Sequence, residues 1–470
     1  MFNKKLILSS SLCVLALSSC ATVKNFDTPP AIKGLEKAKV EIMGNARFQT
    51  TQTVPNWWKT LQDEQLNQLI EHALEHNKDV KVAIANLFEA RGIAREAGLE
   101  RYPTVTANGG ATRNRTSGEL GTGSSQTSNN VNVGFDASWE LDLFGRVSEG
   151  IKASDARAEA AQANLRDVYV TIASEVARTY IELRGAQYRL NIAQRNIVNQ
   201  NKTFELTQTL ARGGRGTQLD VLRAQTQLDL TQSTIPTFRA EITANINRLS
   251  VLTGELPEAL NSPFNKVIPL PSIPNSVNMG NVADLLKRRP DIAIAENNLK
   301  AAIADYNVSI ADQFPKVNLM GTLGFAATSI SSFGASAVVA SVGPNVSWSA
   351  FDMGRVKTRI NQNDARAQAA IARYEKTVLE ALEELQTSVS NFSMQEQRRG
   401  SLQSATRSAK EAANLALSLY QAGIYTFIDA LSAEATLFEA EDTLAQSEIT
   451  TALELIAVYK ALGGGWEFKG

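Results

Sequence analysis

The chain is poor in the residues that most metal sites and disulfide scaffolds need. Its 470 residues include two cysteines and two histidines, too few for structural zinc, iron–sulfur ligation or a cross-linked core. Neither charge sign is in excess: 47 Lys+Arg stand against 48 Asp+Glu, a net charge of -1. No basic surplus exists to neutralise phosphates, which argues against nucleic acid as the main partner. Beyond the extreme N-terminus there is no run of about 18 apolar residues, so no membrane helix is expected in the mature chain. Membrane β-strands escape that test. Walker A, dinucleotide-type glycine and G-x-S-x-G patterns are all missing. Proline is absent from Thr104 to Ile235 and from Asn345 onward.

The N-terminus holds the first positive signal. Lys4 and Lys5 precede an apolar stretch, Leu6 to Leu17, closed by Leu17-Ser18-Ser19-Cys20. That order describes a secretory signal over residues 1–19. Leu-Ser-Ser-Cys resembles the bacterial lipobox, in which the cysteine becomes the first residue and carries acyl chains. Cleavage there discards Cys13, leaves Cys20 as the lipidation site and rules out an intramolecular disulfide. Residues 20–65 then read as a lipidated, extended N-terminal segment.

The remainder repeats itself. Arg101-Tyr102-Pro103 echoes Gln313-Phe314-Pro315 at an offset of 212, and Trp139 to Val147 echoes Trp348 to Val356 at 209. Asp155-Ala156-Arg157-Ala158 matches Asp364-Ala365-Arg366-Ala367, and Gly214, Thr217 and Asp220 match Gly423, Thr426 and Asp429, all at 209. This is one duplicated unit, far longer than a solenoid repeat. Residues 66–255 form the first copy, 256–283 a Pro-rich connector, 284–462 the second copy and 463–470 a C-terminal tail.

Each copy contains two period-two stretches, about 101–116 and 130–143, then about 313–328 and 338–351. Val131, Val133, Phe135, Ala137, Trp139 and Leu141 alternate with polar residues, as strands with one apolar face do. Ser117 to Asn130 reads as an exposed hairpin loop. A half-buried soluble sheet and a membrane barrel both fit, and Trp139 and Trp348 would suit an interfacial girdle. Long Ala/Gln/Glu-rich helices follow, the first from Gly145 to about Ala211, roughly 100 Å at 1.5 Å per residue. Ile371, Tyr374, Val378, Ala381 and Leu385 form a coiled-coil seam, and Leu382 and Val389 start a second stripe beside it. Both helices stop at matching breaks, tips at 212–217 and 422–426, and resume with Thr217 and Thr426 as N-caps. Pro236 should kink or interrupt the first returning helix.

Little chemistry is visible. His72-Ala73-Leu74-Glu75-His76 matches the H-x-x-E-H zinc-peptidase spacing, but with no other His a third ligand would have to be a carboxylate or the lipidated Cys20, and a solvated helix face explains the pair. The Arg212 to Arg215 turn could hold a phosphate at the next helix start, or form a solvated tip. Four strands cannot close a barrel, since single-chain outer-membrane barrels begin at eight. Open edges in lipid are not tolerated, so membrane insertion would require several chains.

At this point the chain resembles the TolC-type outer-membrane efflux factors, in their lipoprotein branch. Trp139-Glu140-Leu141-Asp142-Leu143-Phe144-Gly145-Arg146 looks like that branch's second-strand signature. Arg289-Pro290-Asp291-Ile292, with Ala295-Glu296 and Phe314-Pro315, is similar to its mid-chain signature. Trp57-Trp58 and the following Leu66, Leu69-Ile70, Ala73-Leu74 and Asn77 are similar to its N-terminal segment. The resemblance implies a mainly α-helical homotrimer with membrane β-structure: four strands per chain in a 12-stranded outer-membrane barrel, continued by a long periplasmic coiled-coil barrel. It implies a passive, non-enzymatic duct for drugs or other small solutes, without cofactor beyond the lipid on Cys20. Its partners would be outer-membrane lipids, a periplasmic membrane-fusion adapter and an inner-membrane transporter of the resistance-nodulation-division type. The alternative is the outer-membrane duct of an ABC-driven type I secretion system. Gate and adapter contacts of the family map to Arg212, Gly214, Arg215, Thr217 and Asp220, and to Gly423, Tyr425, Thr426, Phe427 and Asp429. Either a ring of Asp220 and Asp429 or an aromatic plug from the second tip would close the aperture.

Overall fold

The computed structural model describes residues 47–49, 55–117, 123, 125–257, 259–264, 267–279 and 288–467. The signal segment and Cys20 lie outside them. Contacts divide these residues into two units, one holding Asn86–Gln162 and Ile294–Glu375, the other Ala163–Ala293 and Lys376–Gly470 with the preceding N-terminal residues up to Ala85.

The first unit contains the sheet. Strands β2 (Thr104–Thr116), β3 (Gln126–Leu141), β5 (Lys316–Ala327) and β6 (Val338–Ser347) lie in that order, every neighbour antiparallel. The registers run unbroken, Thr104↔Ser138 to Thr116↔Gln126 in the first hairpin and Lys316↔Ser347 to Phe325↔Val338 in the second. The seam between the halves is β3–β5, from Val131↔Ala327 to Leu141↔Val317. With period-two geometry and no bulge, residue parity assigns each side chain to one face along the whole sheet. Val105, Ala107, Val133, Phe135, Leu319, Leu323, Phe325, Val342 and Val346 share the apolar face. Thr106, Asn108, Asp136, Asn318 and Thr322 share the other. There Thr322 Oγ1 donates to Asp136 Oδ1 at 2.9 Å, and Asn108 Nδ2 donates to Oδ2. The duplication extends to single bonds: Trp139 Nε1 donates to Arg101 O and Trp348 Nε1 to Gln313 O, both at 3.0 Å.

The strand limits differ from the sequence reading. β3 starts at Gln126 rather than near 130, because its Ser, Thr and Asn residues pair across the hairpin. β2 starts only after Pro103. β6 stops at Ser347, since a turn at Ser349–Asp352 (Asp352 N–H to Ser349 O, 3.0 Å) leads into the next helix.

The main helices are divided between the two units. They are α1 (Glu64–His76), α2 (Lys78–Leu99), α3 (Arg146–Arg212), α4 (Gln218–Leu252), α5 (Pro290–Ala311), α6 (Met353–Gln421) and α7 (Phe427–Ala461). Of these, α2 and α5 lie mostly in the first unit, and the main core lies in the second. Trp57, Trp58, Leu66, Ile70, Val176, Tyr180, Leu183 and Leu455 are completely or almost completely buried. Trp57 stacks on Tyr459 at 5.0 Å, and Tyr180 OH donates to Asp63 Oδ2 at 2.8 Å. Each tryptophan contributes roughly 4–6 kcal/mol of apolar burial before entropy is counted.

Four expectations change here. The segment before residue 66 is not simply extended: Trp57–Leu61 is a 3₁₀ turn folded into the core. The connector carries β4 (Val277–Asn278), which pairs in parallel with β1 (Phe48–Gln49). Of the C-terminal stretch, the described residues 463–467 pack onto the fold: Gly463 to Gly465 are buried and Arg288 pairs with Glu467 at 2.7 Å. Pro236 does not interrupt α4, which runs through it. Just before it, Ser233 and Thr234 hydroxyls donate to the Leu230 and Thr231 carbonyls, keeping that turn bonded. His72 and His76 stack at 4.2 Å on exposed α1, with His72 Nε2 3.2 Å from Glu255 Oε1. Among the described residues, no three His, Cys, Asp or Glu gather around a common point.

Candidate functional site

Both long helices end by the same mechanism. At the end of α3, Gly214 adopts φ +74, Arg215 N–H donates to Leu210 O at 2.9 Å, and Gly214 N–H to Ala211 O at 3.1 Å. At the end of α6, Gly423 has φ +77, Ile424 N–H donates to Leu419 O and Gly423 N–H to Tyr420 O, both at 2.9 Å. This paired capping needs a left-handed residue, which glycine adopts without the Cβ clash.

The returning helices begin with a threonine and an aspartate three residues later. Asp220 Oδ2 accepts from Thr217 N–H (3.2 Å) and Oγ1 (2.6 Å), while Asp220 N–H donates to Thr217 Oγ1 at 3.2 Å. Asp429 Oδ2 accepts from Thr426 N–H (3.0 Å) and Oγ1 (2.5 Å). The aspartates therefore sit in the first turn, tied to their own helix starts, where the dipole also favours negative charge. The Thr426 bonds hold the Asp429 carboxyl below the usual carboxylate range. Asp429 is open to solvent, whereas the Asp220 side chain is 19% exposed and has Arg223 4.0 Å away. Asp429 is the freer charge of the two.

The fold brings the two tips together. Gly214, Arg215, Thr217, Asp220, Gly423, Tyr425, Thr426 and Phe427 line one cleft of about 400 Å³. Arg212 and Asp429 do not line it; Arg212 reaches back toward Gln208. Phe427 is 4% exposed and packs on Tyr420 at 5.6 Å, so it is committed to the hairpin core. The exposed apolar groups of the second tip are Ile424, Tyr425 and Ile428. Leu210 and Tyr420, which the sequence reading did not single out, also line the cleft. They precede Ala211 and Gln421 on α3 and α6, and pairing the tips by the 209 offset would have pointed to the end of α6. Burial, then the Asp220 charge, push the Tyr420 phenol up.

Known proteins agree with this architecture. The solved outer-membrane channel OprN superposes with a TM-score of 0.90 at 37% identity, over 95% of this chain and all of that one. The solvent efflux pump outer membrane protein SrpC of Pseudomonas putida is 26% identical over 458 residues, 96% of this chain and 97% of its own length. The cation efflux system protein CusC of Escherichia coli K12 is 27% identical over 467 residues, 96% and 98% of the respective chains. The family model described as outer membrane efflux protein matches residues 69–255 and 281–464, one match in each half of the duplication. The chain belongs to the outer membrane efflux protein family.

Proposed function

We propose that the protein is the outer-membrane duct of a tripartite efflux pump, acting as a homotrimer that passes small solutes outward without chemistry. The two-faced sheet carries this reading. It has one apolar face and one polar face, and β2 and β6 each have an unpaired outer edge. In lipid every backbone group needs a partner, so the edges must be closed by other copies. Three chains place twelve strands around a polar lumen with the apolar faces toward lipid. Along β3, Leu141 to Val131 spans ten residue steps, about 34 Å of strand, or about 25 Å of membrane at a 40–45° tilt, the height of a barrel's apolar band.

Exposed apolar residues near the tips, such as Leu219, Leu222 and Leu230 on α4 and Leu415 on α6, suit contacts with neighbouring copies or with a periplasmic adapter. The cleft between the tips is the gate candidate, opening by a change of helix packing. An acyl chain on Cys20 would add an anchor.

The test is electrical. The purified oligomer should form stable channels in planar bilayers, and cross-linking should stop at three chains. Absence of conductance from a correctly folded oligomer would refute the duct. Copurification with a resistance-nodulation-division pump and adapter, rather than an ABC exporter, checks the partner class.

A further inference from the structure

The β2–β3 hairpin outreaches the rest of the sheet. β3 leaves its partner β5 at Val131↔Ala327, but continues paired with β2 through Thr116↔Gln126. Register runs unbroken to the end, so face parity holds on the extension too. The apolar row of β2 reads Val105, Ala107, Gly109, Ala111, then Arg113 and Arg115. Both arginines are exposed, and among the described residues neither forms an ion pair. Their cross-strand neighbours, Asn129 and Thr127, are neutral. Every other charged residue of the four long strands, Asp136, Glu140 and Lys316, lies on the polar face. The lipid-side face thus carries two cations and no described anion, confined to one end.

The level of that end follows from the strand count. The apolar band of β3 ends at Val131, opposite Ala111. Arg113 is the next outward-facing residue, and Arg115 follows about 7 Å along the strand. The opposite strand ends run into the helices, so the hairpin end faces the cell exterior. Two guanidiniums just beyond the hydrocarbon meet the headgroup layer, where a planar fork binds phosphate bidentately.

We propose that Arg113 and Arg115 form a docking site for the phosphate groups of the outer-leaflet glycolipid. The inference rests on the barrel reading above, since that reading turns this face toward lipid. It supplies a belt of three arginine pairs around the assembled barrel, which binds the outer leaflet and resists displacement along the membrane normal.

The experiment compares the wild-type oligomer with R113Q/R115Q, titrated in detergent with diphosphoryl lipid A, its dephosphorylated form and phosphatidylglycerol, binding being followed by native mass spectrometry. Wild type should bind diphosphoryl lipid A, and the double variant should bind it roughly thirtyfold more weakly, about 1 kcal/mol per arginine at 1.4 kcal/mol per tenfold. R113K/R115K should recover part of the affinity, and dephosphorylated lipid A should not distinguish the proteins. Equal binding of diphosphoryl lipid A by wild type and R113Q/R115Q overturns the proposal. An equal loss with phosphatidylglycerol overturns the assignment to the glycolipid. Bilayer conductance of the same preparations separates the two readings, because R113Q/R115Q should conduct as wild type does even where lipid binding is lost.

Discussion

Gly134 and Gly324 face each other across the β3–β5 seam, and an alanine there would have no room. A Cβ on Gly324 would lie 2.5 Å from Val133 O and 2.7 Å from Gly134 Cα; one on Gly134 would lie 2.8 Å from Leu323 O. The obstacles are backbone atoms, so no side chain can turn aside. Relaxing the closest contact to about 3.4 Å parts the strands by roughly 0.9 Å, enough to stretch an ordinary 2.9 Å ladder bond beyond hydrogen-bonding range. Losing two such bonds and straining the seam costs about 2–6 kcal/mol. Gly343 on β6 provides the control: it shares the polar face, and nothing lies within 4 Å of its added Cβ. Thermal unfolding of the detergent-solubilised oligomer, followed by far-UV circular dichroism and tryptophan fluorescence, should show G324A melting well below wild type and G343A close to it. G134A/G324A should cost less than the sum of the single changes, since both relieve one contact. Equal melting temperatures for G324A and G343A would refute the reasoning.

Three further outcomes follow from the helices and the N-terminus. Glu434 is mostly buried; its Oε1 accepts from Thr203 at 2.8 Å, its Oε2 has no partner, and burial raises its pKa despite that bond. A raised carboxyl favours the fold only while it is protonated, and that contribution fades as pH rises through the folded pKa. Glu434→Gln should therefore stabilise the protein by about 1–2 kcal/mol at pH 7.5 and by little near pH 4, measured by melting at both pH values; an equal effect at both would count against it. Gly423→Ala forces an L side chain into the left-handed region at a cost of about 1–2 kcal/mol, so channel recordings should show several-fold more open time, whereas Gly400→Ala inside α6 should show no such increase. Cys20→Ser should abolish incorporation of labelled palmitate while leaving the channel intact; a labelled mutant would remove the lipidation assignment.

Periodicity and the 209 offset made the architecture readable: α3, α6, the four strands and both tips lie close to where these patterns put them. Boundaries were harder, because Ser and Asn residues such as Ser128 and Asn129 pair in a strand as readily as they loop. Of the two effects expected of Pro236, interruption does not occur: the helix continues through it, with Ser233 and Thr234 hydroxyls bonded to the preceding turn. The site was legible as two separate turns, but not as a single cleft. Capping chemistry announced Thr217 and Asp220, while the burial of Phe427 against Tyr420 depends on α6 and α7 packing, which no local pattern encodes. The fate of Gly463 to Gly465 was equally hidden, since three glycines read as a tail unless their tryptophan neighbours are known.

Those glycines bear on how the chain can mature. Gly465, at φ +109, passes so close that an added Cβ would sit 3.3 Å from Trp58 and 3.4 Å from Trp57 Nε1. Thr60 meets Tyr459 across 399 residues. The tryptophan core needs both chain regions at once, so it cannot close on a nascent or half-exported polypeptide. Export through the inner membrane would therefore deliver an open chain. A product truncated short of Tyr459 would leave two tryptophans uncovered, a mark by which periplasmic quality control could tell it from a finished channel.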